Sequence, residues 1–302
     1  MSAIVPVNQR GMGLHIVGDQ PDSKSVILSC NGIQNSLEDA KKMGRSISEK
    51  FGGRQVYVFH NPTTLSQYWD PKQRRIQEGK LAHALALNIC RLQVEKKSLQ
   101  IFAHSHGAVL VEKALDKIGK TKGLGSKVAD KVEVYAFGGA TIIPNRLAKK
   151  VQNYVFEEDG IAELGNRTSL EVRPKEEIEA ISEIKELNKL MRTEGLSRDE
   201  AIRKKVNQDV LWLNCPLNAL VKKYEGYFER YNIESLPSSE FDHPEYTDLS
   251  KTKGLWNKIK AGVSNVWAGA AAFGSHFLDN HSFTSYEHIV DQIAEQDLRR
   301  MK

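Results

Sequence analysis

Five short runs of β-branched and apolar residues, Val26–Cys30, Val56–His60, Leu99–Ala103, Val132–Phe137 and Val151–Phe156, recur along the chain, each separated from the next by a segment with helical spacing. No other feature constrains the fold as strongly. Strands this uniformly apolar have to be covered on both faces, and parallel neighbours can be joined only by crossovers long enough to hold a helix. The alternation predicts a mostly parallel α/β sheet with helices on both faces. At 302 residues the chain can bury a full core, and it is read as one domain over 1–302.

The helices carry their own punctuation. Asn35 and Glu38 form a capping-box pattern that opens a helix over Ser36–Lys50, and Gly52-Gly53 closes it. A second helix, over Lys72–Lys97, is expected to turn Ile76, Leu81, Leu85, Ile89 and Leu92 toward the core. Beyond Phe156 the strand rhythm gives way to charged, helix-rich sequence. There Ile178, Ile181, Ile184, Leu187 and Met191 keep helical spacing up to Gly195, and Ser197 with Glu200 caps the next helix. No strand is expected between about 170 and 250, so that stretch reads as a helical insertion packed on the sheet.

Composition excludes several classes. With 40% apolar and 27% charged residues the chain is neither disordered nor fibrous. Its net charge of +5 comes from scattered pairs such as Lys41-Lys42 and Arg74-Arg75, without the basic stripe and interleaved aromatics of a nucleic-acid binder. Cys30, Cys90 and Cys215 make neither a disulfide framework nor a metal pattern, so a reducing compartment is expected. The first twenty residues lack the layout of a signal peptide, and no apolar run reaches the ~18 residues of a membrane span. A cytoplasmic protein is expected, or one exported without a cleavable signal.

The chemistry concentrates at Leu99-Gln100-Ile101-Phe102-Ala103-His104-Ser105-His106-Gly107, followed directly by the apolar helix that Ala108-Val109-Leu110-Val111 begins. That is a strand, a tight turn and a helix. A serine at such a turn is held with its hydroxyl above the sheet edge, and the small Ala103 and Gly107 let strand and helix approach. The bland alternative is a structural turn with an unreactive serine.

Ala-His-Ser-His-Gly resembles the nucleophile elbow of the α/β-hydrolase superfamily, with alanine at the first glycine position as in many lipases. The likeness covers the elbow and the five strands, about half the chain. It implies an α/β-hydrolase fold and a serine esterase or lipase-like hydrolase with Ser105 as nucleophile. It also implies a triad in the order serine, acid, histidine. Of the late histidines His243, His276, His281 and His288, the resemblance favours His281 as base, on the loop before a final helix that Thr284 and Glu287 would cap from Ser285. Lys150–Phe156 and the following Glu157-Glu158-Asp159-Gly160-Ile161 are similar to the strand and acid loop of class 3 lipases, which implies Asp159 as the acid, with Glu158 as runner-up. The loop Cys30-Asn31-Gly32-Ile33 resembles the His-Gly oxyanion loop of lipases, with Asn31 in place of histidine. It implies oxyanion donors at Ile33 or Gly32, together with His106. A weaker likeness, in the Asn-Gly-Ile-x-Asn loop and the late His-Ser-Phe, is to hydrolase-like proteins of chlamydial bacteria and implies a bacterial source but no substrate.

No metal or other cofactor is expected, because His104 and His106 flank the serine on opposite sides of the turn. The expected partner is a small-molecule or lipid ester, with no nucleic acid. Gly254–Phe277, a basic amphipathic stretch holding Trp267, reads either as a core-facing helix or as a contact with a membrane surface. The competing functional class is a hydrolase-like scaffold that binds a protein or lipid without chemistry.

Overall fold

A computed structural model describes residues 13–21, 25–95, 98–121, 125–156, 174–213, 217–236 and 283–301. Asp159, Glu158, His243, His276, His281 and the 254–277 stretch lie outside these residues. Among the described residues seven strands form one sheet in the order β1-β3-β2-β4-β5-β6-β7. They are β1 (Leu14–Val17), β2 (Ser25–Cys30), β3 (Val56–Phe59), β4 (Ser98–His104), β5 (Val132–Phe137), β6 (Lys150–Phe156) and β7 (Ile233–Leu236). Every pairing is parallel except that of β1 with β3.

Strand periodicity sorts the core into two layers. Val26, Leu28 and Cys30 of β2 and Leu99, Ile101 and Ala103 of β4 face α3 (Pro71–Glu95) and α4 (His106–Gly119). The intervening Ile27 and Phe102 face α1 (Leu37–Lys50) and the last described helix, α9 (Glu287–Met301). Successive side chains of a strand point to opposite faces, so the continuous apolar runs supply both layers at once. The short α2 (Leu65–Trp69) and α5 (Gly125–Ala129) fill connections. Among the described residues no helix is long and apolar enough to cross a membrane.

Several expectations need correction. The stretch from 170 to 250 contains β7, which pairs in parallel with β6 from Asn153↔Ile233 to Phe156↔Leu236. Its Ile-Glu-Ser-Leu sequence buries only the first and last residues, a pattern too short and too half-exposed to stand out as a strand. The helices α6 (Lys175–Glu194), α7 (Arg198–Leu213) and α8 (Leu217–Arg230) are therefore the crossover from β6 to β7. They pack on Val155 and Ile233 through a third core that holds Ile181, Ile184, Leu187 and Tyr224. Gly195 ends α6 in the left-handed conformation, at φ 65°, and Ser197 exchanges bonds with Glu200, as the sequence indicates.

β1 was not expected, since its four residues lie in a stretch of mixed composition. The box that opens α1 is Ser36 with Asp39, one position later than the expected Asn35 and Glu38. Ile76 is 50% exposed. At about 100° per residue it falls on the side of α3 opposite Leu85, whereas Glu78 falls within about 20° of Leu85 and is buried. The last helix begins at Glu287 after a 3-10 turn over Phe283–Tyr286, not at Ser285. The Glu287 carboxylate accepts a hydrogen bond from Ser46 Oγ of α1 at 2.7 Å.

Candidate active site

Ser105 stands at the carboxyl end of β4, in the middle of the sheet, and immediately precedes α4. Its backbone adopts φ 54° and ψ −125°, a region that costs a side-chain-bearing residue about 1–3 kcal/mol. The surroundings impose it. The Ser105 N–H donates to Phe137 O at 3.0 Å, and its carbonyl accepts from Ala140 N–H at 3.0 Å, so the end of β5 and the loop after it grip the residue from both ends. A Cβ on Gly107 would lie 2.3 Å from Cys30 O, so α4 meets the end of β2 at a distance only glycine allows. Ala103 is fully buried on the same side. Both small positions expected at the turn are used as anticipated.

The Ser105 hydroxyl makes no capping bond to the helix it opens. A Cβ on Gly32 would come within 2.9 Å of Ser105 Cβ and 3.2 Å of its Oγ, which brings the loop after β2 alongside the hydroxyl. His106 is the first residue of α4, so its N–H has no partner within the helix. The donors expected at Gly32, Ile33 and His106 thus lie on the two segments that border Ser105.

The two flanking histidines diverge. The His104 ring meets Phe283 at 6.0 Å and Tyr286 at 6.3 Å between centroids, on the α9 side. The His106 ring lies on the α3 side, buried beneath Tyr68 at 5.2 Å. Its Nε2 is 2.9 Å from Glu78 Oε1 and its Nδ1 is 3.1 Å from Asn61 Nδ2. Asn61 Oδ1 accepts from both Thr63 N–H, at 3.1 Å, and Thr63 Oγ1, at 2.6 Å, so the Asn61 nitrogen is the atom that faces His106. An amide nitrogen can only donate, so Nδ1 accepts and Nε2 carries the proton that Glu78 receives. Burial pushes the Glu78 carboxyl up, but the bonds from His106 and Lys113 outweigh it and hold the carboxyl at about 2.

Asn61, Thr63, Glu78 and Lys113 were not singled out from the sequence. Glu78 left a signal, a carboxylate in line with the apolar face of its helix. The link from Asn61 to the site left none, because Asn31 and His106 are 30 and 45 positions away. Among the described residues no three His, Cys, Asp or Glu side chains converge closely enough to hold a metal ion.

The antiparallel β1 beside β3, the swap of β2 and β3 in the sheet, and the strained serine at the turn out of the fourth strand together decide the architecture. The fold is that of the α/β-hydrolases. No family model and no curated protein matches the chain. Among solved structures it is similar to a dienelactone hydrolase from Anabaena variabilis, at 17% identity and a TM-score of 0.35, over 55% of this chain and 78% of that one. It is also similar to a Trichoderma reesei cutinase solved with a phosphonate inhibitor, at 16% identity and a TM-score of 0.36, over 50% and 68%. The fold assignment rests on the strand order and the elbow, not on these overlaps.

In an α/β-hydrolase sheet the loops at the carboxyl ends of the strands build the site. Here aromatic rings gather that edge. Phe137 and Tyr154 stack at 5.3 Å, Phe156 meets Tyr286 at 4.6 Å, and Phe137 meets Phe283 at 5.7 Å. The end of β6 and the approach to α9 are thereby brought to the flank of β4.

Proposed function

We propose that the chain is a serine hydrolase that cleaves a carboxylic ester, of a small molecule or a lipid, through an acyl-enzyme. Ser105 Oγ attacks the carbonyl carbon while its proton passes to His281, which Asp159 orients. The oxyanion is received by the N–H of His106 and that of Ile33 or Gly32. Collapse expels the alcohol with the proton from His281. Water, deprotonated by His281, then releases the acid and returns the hydroxyl to Ser105.

The observation that carries this reading is the strained Ser105, whose hydroxyl is uncommitted to α4 and bordered by a glycine that leaves room for a substrate carbonyl. The aromatic cluster supports the choice of partners. Phe283, packed on His104, is two residues from His281, a reach of at most about 7 Å. Phe156, packed on Tyr286, is three residues from Asp159, a reach of at most about 11 Å.

Labelling with a fluorophosphonate tests the reading. Wild type is expected to label at Ser105, with Ser105→Ala silent and His281→Ala slowed by several orders of magnitude. A folded wild type that stays unlabelled between pH 6 and 9 would instead indicate a binding scaffold. A chain-length series of p-nitrophenyl esters then reads the acyl preference.

A further inference from the structure

The Asn31–Asn61–His106–Glu78 chain joins four separate elements, and all four side chains are buried, Asn61 completely. Buried polar groups stabilise a fold poorly unless every one is paired, and apolar side chains of the same size would pack the space at less cost. What this chain does is hold one loop against another. Asn31 Oδ1 accepts from the backbone N–H of Asn61 at 2.8 Å, and Asn31 Nδ2 donates to the backbone carbonyl of Asn61 at 3.1 Å and to Gly32 O at 2.8 Å, while the Asn61 side chain reaches the loop itself through Nδ2, which donates to Asn31 O at 3.4 Å. The peptide after Gly32 is trans, so turning the Gly32 carbonyl toward Asn31 turns the Ile33 N–H away from the two asparagines. Gln34 N–H, donating to Thr63 O at 2.9 Å, fastens the far side of the same loop. Asn61 is in turn oriented by Thr63 and by the acceptor nitrogen of His106, whose tautomer Glu78 fixes.

We propose that Asn61 is a positioning residue for the oxyanion hole: it ties the Asn31–Ile33 loop to the ring of His106, so that the two segments bearing the oxyanion donors are held at one spacing. The inference takes its chemistry from the esterase reading but makes a separate claim about the loop. His106 thereby serves the site twice, once through its backbone N–H and once through its ring. A loop displaced by about 1 Å would leave the substrate bound but its oxyanion ill-met, and such misplacement costs up to about a hundredfold in rate.

The test compares wild type with Asn61→Ala and with Thr63→Val, a milder change that removes only the hydroxyl that orients Asn61. Two readouts are taken, p-nitrophenyl ester turnover and amide hydrogen exchange at residues 31–33. In Asn61→Ala, kcat is expected to fall roughly ten- to a hundredfold with KM held within about twofold, and exchange at Gly32 and Ile33 to quicken. Thr63→Val is expected to shift both readouts in the same direction by less. Unchanged kcat in the folded variants, or equal losses in kcat and in substrate binding, would overturn the positioning role. So would unchanged exchange. Faster exchange in Asn61→Ala, with a wild type that neither turns over esters nor labels, would sink the esterase reading while supporting the tie between loop and ring.

Discussion

The strain at Ser105 can be measured apart from any chemistry by comparing two variants that both lack the hydroxyl. Ser105→Ala keeps a Cβ at φ 54° and ψ −125°, where it is disfavoured, whereas Ser105→Gly removes it. Relief of the conformation is worth about 1–3 kcal/mol. Against this, glycine gains about 0.5–1 kcal/mol of extra freedom in the unfolded chain. The hydrogen bonds to Phe137 and Ala140 use only backbone atoms and survive in both variants. Glycine is therefore expected to be the more stable by about 1 kcal/mol at the middle of these ranges and by at most about 2.5 kcal/mol, a rise of about 2–4 °C in melting temperature for a chain of this size. Paired thermal and urea unfolding measures the difference directly. This is opposite to the usual ranking of alanine over glycine, so the sign alone is informative. A Ser105→Gly protein equal to or less stable than Ser105→Ala would refute the claim that the turn is held under strain.

Two further perturbations follow from distances and charges at the site. Gly32→Ala places a methyl 2.9 Å from Ser105 Cβ and 3.2 Å from its Oγ, so fluorophosphonate labelling is expected to slow more than tenfold while the melting temperature falls by only a few degrees; labelling at the wild-type rate would show that the loop is not beside the hydroxyl. Glu78, held at about 2 against an ordinary 4.5, contributes stability that is complete above about pH 4.5 and drains away as pH falls toward 2. The gap in unfolding free energy between wild type and Glu78→Gln is expected to narrow as pH falls across that window, and a gap that does not vary with pH would contradict the assignment.

The parts of this molecule that could be read from sequence are those whose signal is local. β2 to β6 carry apolar residues on both faces because both faces are covered, and Ser105 announces itself because strand, turn and helix are contiguous. β1 and β7 escaped because an edge strand of four residues is paired on one side only and needs little apolar sequence. Hydrophobicity alone places Ile76 in the core, but its helical phase sets it opposite Leu85 and in solvent, and the same phase buries Glu78. The tie through Asn61 was illegible, since a hydrogen bond between loops 30 residues apart leaves no periodicity. Asp159 and His281 come from the resemblance alone, and both lie outside the described residues.

The helix that follows His281 is no appendage. Its Ile289, Val290, Ile293 and Ala294 complete one of the two layers over the sheet, and it is clamped to α1 by Lys50 with Asp291 and by Ser46 with Glu287. The helix that follows the proposed base is thus moored to the same wall that keeps β4 dry. Should that mooring fray first on warming, the serine would still sit cocked on its bend while the helix nearest the proposed base came loose, and a protein working by the proposed triad would fall silent before it came apart.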